Sequence, residues 1–288
     1  LRGADAVVHL AWLFQPTHSP MVTWRSNAEG STRLFDAVAA AGVPALVYAS
    51  SVGAYSPAPG RTVDESWPTH SMPSAGYGRE KAYVERVLDA FEARHPDVRV
   101  VRMRPGFIFK REAATAQRRI FLGPLMPGTL AKPGLLPVLP LPPELRFQAL
   151  HSEDAAEAYR LAVHSDVRGA FNIAAEPVLG GREIAEVLGA RYVPVPRPLV
   201  RAAMAAAWHA HAIPADPKLL DLVLGLPLLD TTRAHTVLGW KPRWSGTKAL
   251  REMVEGLAAG EGGPTPPLAA DSAAGRRHEV ATGVGERP

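Results

Sequence analysis

Four side chains between residues 44 and 81 have the types and spacing for proton transfer: Ser50, Ser51, Tyr77 and Lys81. The serines end Pro44-Ala45-Leu46-Val47-Tyr48-Ala49, an apolar run that reads as a buried strand. Tyr77-Gly78-Arg79-Glu80-Lys81 opens a stretch whose apolar residues recur at helical spacing. Tyr77 and Lys81, four apart, then share one helix face, a turn from each other. A phenol ordinarily titrates near ~10 and is protonated at neutral pH. An ammonium a few ångströms away favours the phenolate, lowers that pKa and makes tyrosine a usable proton acceptor. A serine hydroxyl at the strand's carboxyl end can hydrogen-bond the same substrate oxygen. Together the set suits removal of a proton from an alcohol while a hydride leaves its carbon. Tyr-x-x-x-Lys alone is a weak signal, because a solvated helix face carries that spacing by chance. The joint pattern is the informative one: a strand ending in Ser-Ser, a Pro-rich loop, then the pair opening a helix.

The elements that must position this set read as a parallel, doubly wound sheet. Asp5 to Leu10 is an apolar run expected to be a central strand. A helix follows over about Met21 to Ala41, with Val22, Leu34, Ala37 and Val38 expected on its buried side, closed by Gly42-Val43-Pro44. The serine strand comes next, then a loop over 52–76 long enough to be functional. A helix from Tyr77 to about Arg94 and a strand over Val98 to Met103 complete the repeat. From 111 to 145 the composition turns to Pro, Leu and Gly with little periodicity, which we read as an excursion into a smaller lobe over the substrate. The division expected is 1–110 with 146–175 as the sheet domain, 111–145 with 176–258 as the substrate lobe, and 259–288 as a disordered tail.

Composition excludes several classes of function. Of 288 residues, 47% are hydrophobic and 21% charged, ordinary values for a globular protein. The net charge of +4 is spread without a Lys/Arg run, so no nucleic-acid partner is indicated. With no cysteine, disulfides, thiolate zinc sites and cysteine nucleophiles are excluded. No apolar run approaches the ~20 residues of a membrane span, and nothing resembles a signal peptide, which makes the cytoplasm the default. The chain opens on Leu1 and enters a strand almost at once, so we read it as a fragment or an incomplete gene model. His209 and His211, two apart, do not share a helix face and read as packing. His151 and Asp154 read as a helix start, and Asp64 with Glu65 as loop anchors. Arg111, Arg118 and Arg119 fit either an anionic substrate or a solvated face.

In order and near-spacing, several stretches resemble the extended short-chain dehydrogenase/reductase family, its NAD-dependent epimerase/dehydratase group. They are Asp5 to Ala11, Asn27-x-x-Gly30-Ser31-x-x-Leu34, Val47 to Ser51, Asp64-Glu65 with Tyr77 and Lys81, Arg104-Pro105-Gly106, Phe147 to Ala155, Gly169 to Ile173 and Leu238-Gly239-Trp240-x-Pro242. The resemblance implies an α/β fold: a Rossmann-type doubly wound parallel sheet lacking its first strands, with a small C-terminal α+β substrate lobe. It implies NAD or NADP as cofactor. Tyr77 would be the acid/base, with Lys81 lowering its pKa and bonding the nicotinamide ribose. Ser51 would hold the substrate oxygen. Leu10, Ala11, Asn27 and Ser50 would line the cofactor, and Pro105 with Ile108 would pack near the nicotinamide. Family members pair through the two long helices, which implies a possible homodimer.

Three departures qualify the resemblance. The family's Gly-x-x-Gly-x-x-Gly turn, which cradles the pyrophosphate, does not occur in the sequence and is expected before Leu1. Phe107 stands where nucleotide-sugar members carry Asn, and Trp12-Leu13-Phe14 replaces smaller residues after the first strand. Phe107 and Trp12 are therefore expected to contact the substrate, and to favour one more apolar than a nucleotide sugar. Core filling by these aromatics is the other reading. The expected function is an NAD(P)-dependent oxidoreductase, epimerase or dehydratase acting on a small sugar-like or other hydroxy or keto molecule. The alternative is a non-catalytic cofactor-sensing or scaffold protein on the same fold. Intact Ser51, Tyr77 and Lys81 speak for chemistry, and the missing glycine turn speaks for the alternative.

Overall fold

A computed structural model describes residues 1–14, 19–122, 131–263 and 268. The chain begins with β1 (Val7–His9), then α1 (Pro20–Trp24), one wide π turn (Arg25–Glu29) and α2 (Gly30–Ala40). β2 (Ala45–Ala49) and the short β3 (Thr62–Val63) lead to α3 (Gly76–Arg94), β4 (Arg99–Pro105) and β5 (Phe107–Phe109). Then come α4 (Ala114–Leu122), β6 (Val138–Leu141), β7 (Arg146–Phe147), β8 (Ala149–His151), α5 (Ser152–His164) and β9 (Gly169–Ile173). The remainder is β10 (Leu179–Gly180), α6 (Gly181–Leu188), β11 (Arg191–Pro194), α7 (Arg197–His209), α8 (Pro217–Gly225), β12 (Leu228–Leu229), α9 (Thr232–Thr236) and α10 (Gly246–Ala259).

The central sheet is parallel, in the order β1-β2-β4-β9, with Val47 opposite both Val8 and Val101. Its apolar side chains point to both faces, and each face is covered. On one, Phe35 and Val38 of α2 and Val84, Leu88 and Phe91 of α3 pack against Leu46, Tyr48 and Val100. On the other, Ala155, Ala158 and Ala162 of α5 and the buried Trp240 meet Val47, Val101, Met103 and Phe171. Helices on both faces of a parallel sheet make the doubly wound arrangement that the alternating elements imply. Outside it, β5 pairs with β8, β6 with β11 and β3 with β12 in parallel, and β7 pairs antiparallel with β10. Among the described residues, no helix is long and apolar enough to cross a membrane.

Among the described residues β1 pairs with β2, and Val8 is 40% exposed. One local expectation is corrected. In the following helix, Val22 and Ala37 face solvent, and the buried residues are Thr23, Asn27, Ala28, Ser31, Phe35 and Val38. The π turn accommodates an extra residue per turn and rotates the inward face, so a uniform helical period misplaces it. The expected disordered tail lies, from 264 on and apart from 268, outside the described residues.

A buried polar network ties the carboxyl ends of the strands to the long loop. Glu85 on α3 has no exposed surface. It accepts hydrogen bonds from Ser50 Oγ (2.5 Å), Arg102 Nη1 (2.9 Å), Arg104 Nε (2.9 Å) and Arg104 Nη2 (3.0 Å). Arg104 Nη1 also donates to the Tyr55 hydroxyl and the Glu65 carbonyl, both at 2.9 Å. Tyr55 in turn donates to Asn172 Oδ1 (2.6 Å), whose backbone N–H donates to the Glu65 carboxylate (2.8 Å). Asp64 caps Ser66 through backbone and hydroxyl contacts, so both acids of the loop act as anchors. Burial alone pushes the Glu85 carboxyl up; the hydrogen bonds and charge of Arg104, then the charge of Arg102, reverse this and hold it at about 2.

Removing one member of such a network leaves an uncompensated buried charge. Glu85→Leu is therefore expected to cost about 3–5 kcal/mol, and adding Arg104→Leu to recover part of that loss, both read by urea unfolding. Because the folded Glu85 pKa lies below its ordinary value of 4.5, its stabilisation is present above that pH and is lost as pH falls towards 2.

Candidate active site

The serine strand, the tyrosine helix and the Arg-Pro-Gly turn converge on one cavity of about 720 Å³ at the carboxyl ends of β2 and β4. Open parallel sheets place ligands at this end. Ser51, Tyr77, Leu10, Ser50, Pro105, Phe107 and Ile108 all line it. Ser51 starts a short turn, and its oxygen accepts from the Gly53 N–H at 2.9 Å, which leaves the Ser51 proton to be given elsewhere. Gly53 is glycine for a packing reason. A Cβ there would stand 2.8 Å from Cε1 of Tyr77, so any side chain would push the phenol aside. Gly106 is held by a similar approach, 2.5 Å from its would-be Cβ to the Gln148 carbonyl oxygen.

The protonation states differ from the expectation. Burial raises the Tyr77 phenol, the neighbouring Ser51 hydroxyl pulls it partly back, the Glu80 charge adds to the rise, and the group sits at about 12. The expected depression of Tyr77 by Lys81 is thus not found: in this arrangement Tyr77 is a phenol at neutral pH. Lys81 is itself buried, donates to the Ala49 carbonyl at 2.6 Å, and stands 5.9 Å from the centre of the Tyr77 ring. Burial lowers its pKa to about 7, against the opposing charges of Glu85 and Glu80. His9, bonded to Ser31 at 2.9 Å, is held at about 4 by burial and by the Lys81 charge.

Several expected cofactor contacts are placed elsewhere. The Ser50 hydroxyl is turned to Glu85 rather than to the cavity. Asn27 is buried, and its amide is used in full: Oδ1 accepts from Leu13 N–H (2.7 Å), while Nδ2 donates to Leu13 O (3.1 Å) and Glu80 (2.8 Å). It pins the loop after β1 and does not line the cavity. Ala11 is exposed and is not part of the lining either. Trp12 is not a cavity residue; its ring lies 3.5 Å from Lys81 Nζ, a cation–π contact that stands in for solvent around the ammonium. Phe14 takes the position expected of Trp12, edge-on to Tyr77 with ring centres 4.5 Å apart. Arg111 is engaged by Glu255 (2.8 Å) and Glu261 (2.7 Å). His151 caps Glu153 N–H, and Asp154 accepts from the Arg243 and Trp244 N–H groups. Among the described residues no cluster of His, Asp or Glu could hold a metal.

The sequence reading missed Gln117, Ile120 and Phe121 of α4, Tyr159 of α5, and Leu219, Leu222 and Val223 of α8, all in the lining. For α8 the signal was present: Asp216 caps the Lys218 N–H at 2.8 Å, Pro217 takes the first turn, and leucines follow.

Residues 1–174 match the model of the NAD dependent epimerase/dehydratase family, and the chain belongs to that family. An uncharacterized protein of Mycobacterium tuberculosis is 26% identical over 257 residues, covering 88% of this chain; the chain spans 65% of that relative's length. A UDP-glucose 4-epimerase of Yersinia pestis is 35% identical over 94 residues, which is 32% of this chain and 28% of the epimerase. Among solved structures, the UDP-glucose-4-epimerase of Stenotrophomonas maltophila, with bound NAD and formylated UDP-arabinopyranose, is similar in fold. Its TM-score is 0.66 at 23% identity, over 88% of this chain and 76% of that one.

A lysine with a folded pKa of about 7 and an unfolded value of 10.5 destabilises the fold at neutral pH, and the penalty is relieved as pH rises between those values. Lys81→Met is expected to abolish that rise. Urea unfolding at pH 7, 8 and 9 should show the native chain gaining about 1.4 kcal/mol per pH unit on the variant.

Proposed function

We propose that the chain catalyses an NAD(P)-dependent oxidation or reduction at a carbon bearing a hydroxyl or keto group, the step from which epimerisation or dehydration can follow. The observation that carries this reading is the Tyr77 phenol beside the Ser51 hydroxyl in a large cavity at the strands' carboxyl ends. The similar solved structure from Stenotrophomonas maltophila, crystallised with NAD, supports the cofactor.

The residues present fit the nicotinamide-ribose half of such a cofactor. Lys81 Nζ has three N–H donors and gives one to Ala49 O, which leaves donors next to Tyr77 for a ribose diol. Leu10, Pro105 and Ile108 offer apolar contact to the ring end of the ligand. When bound, a nicotinamide supplies a reversible hydride acceptor. Ser51, already accepting from Gly53, donates its proton to the substrate oxygen and orients it. In reduction, the Tyr77 phenol gives its proton to the carbonyl oxygen as the alcohol forms. In oxidation, the alcohol O–H proton passes to a Tyr77 phenolate as the C–H bonding pair leaves the carbon. With the phenol at about 12, the resting site is ready for the reductive direction, and oxidation waits on the small phenolate fraction. Met21, Val22 and Tyr83 leave apolar surface on α1 and α3, through which we propose that two copies pair.

Tyr77→Phe is expected to lower kcat by about 10²–10⁴-fold in both directions while NADH affinity, measured by fluorescence titration, stays within a fewfold. In the native chain the kcat/KM for alcohol oxidation should rise between pH 7 and pH 9, in step with the phenolate fraction. Undiminished turnover in Tyr77→Phe would overturn the assignment.

A further inference from the structure

The cavity's lining speaks to the class of substrate. Among its described residues none carries a charge, and the lining shared with Ser51 and Tyr77 includes Phe14, Phe107, Ile120, Phe121 and Leu222. A diphosphate entering such a lining would find no cationic partner among the described lining residues, and burying unpaired charge is strongly unfavourable. The adjoining cavity of about 310 Å³ supplies none in excess. Its Arg79 and Lys218 are matched by Glu80 and Asp216, and Lys218 Nζ stands 4.0 Å from Asp216. Lys81 is held by the Ala49 carbonyl and the Trp12 ring, and the donors it keeps are those proposed for the nicotinamide ribose, while Arg111 is engaged by two glutamates. Among the fully buried polar atoms of the described lining one lacks a partner: Gln117 donates through Nε2 to Ile108 O at 2.9 Å, while its Oε1 is without a hydrogen-bond partner. That oxygen is an acceptor for a second hydroxyl or N–H on the ligand.

We propose that the substrate is an uncharged, mainly hydrocarbon secondary alcohol or its ketone, of fused-ring size, and not a nucleotide sugar. The proposal rests on the reading that Ser51 and Tyr77 are where the substrate reacts. The cavity of about 720 Å³, shared with the nicotinamide end of the cofactor, leaves room for a ligand of a few fused rings. Phe107 stacks edge-on to Phe147 with ring centres 5.1 Å apart, so its ring is a fixed wall.

The test is calorimetric binding of cyclohexanol, 1-tetralol and 9-fluorenol to the chain, in comparison with UDP-glucose. Affinity is expected to rise at least about tenfold from cyclohexanol to 1-tetralol, as apolar area is buried, and again to 9-fluorenol, with UDP-glucose the weakest. Phe107→Asn, with Phe121→Ala as the second variant should the first not fold, is expected to weaken 9-fluorenol at least about fivefold. UDP-glucose binding as tightly as 9-fluorenol, or no binding by any of the alcohols, overturns the proposal. The same titrations on Tyr77→Phe separate the two claims. Retained alcohol binding with lost oxidation supports both. Retained binding with undiminished oxidation supports the substrate class while removing Tyr77 from the chemistry. Tight UDP-glucose binding with oxidation lost in Tyr77→Phe removes the substrate class and keeps the chemistry.

Discussion

A carboxylate with no exposed surface, Glu85, holds together the elements around the cavity. It gathers Ser50 from the end of β2 and Arg102 and Arg104 from β4; through Arg104 it reaches Tyr55, Glu65 and Asn172. Each of these would cost free energy if buried alone, and together they satisfy most of one another's polar atoms, with Arg102 Nε left without a partner. The consequence for the site is geometric. Ser51 follows Ser50 in the chain, so anchoring one hydroxyl to Glu85 aims the next into the cavity. Tyr77, Lys81 and Glu85 lie four apart on α3 and share its inward face. One buried anion therefore positions both the strand and the helix that carry the proposed proton relay.

Burial acts on Glu85, His9, Lys81 and Tyr77 alike, and different partners divide them. Glu85, facing two guanidinium groups, stays ionised down to about 2, whereas His9, beside a lysine, is neutral above about 4. Lys81, with two carboxylates only partly offsetting its desolvation, titrates near 7. Tyr77 has a hydroxyl and a carboxylate for neighbours and holds its proton to about 12. A spread this wide in so small a region fits the proton transfer proposed for Tyr77.

Much of the fold was legible because it rests on apolar runs. Ala45 to Tyr48 are buried, as are Val100, Val101 and Met103 around Arg102, and few other elements tolerate that composition. The pair Tyr77 and Lys81 was legible because helical spacing alone puts them together. What escaped reading depends on contacts between distant segments. Nothing in the local sequence tells Ser50 from Ser51, yet Glu85, 35 positions away, claims one of them. Asn27 holds a loop 14 residues behind it, and Trp12 covers an amine on a helix far along the chain. The π turn at Arg25–Glu29 broke the period on which the buried face was assigned. α4 and α8 were missed in stretches rich in proline and leucine, and they supply much of the cavity wall.

The most direct test follows the hydrogen itself. A secondary alcohol deuterated at its carbinol carbon is incubated with the chain and NAD, and the reduced dinucleotide is analysed by mass spectrometry. The account predicts one deuterium in the reduced nicotinamide, transferred from the alcohol carbon and independent of the hydrogen isotope of the solvent. Reduced nicotinamide without deuterium, or label that washes out into water, would contradict it.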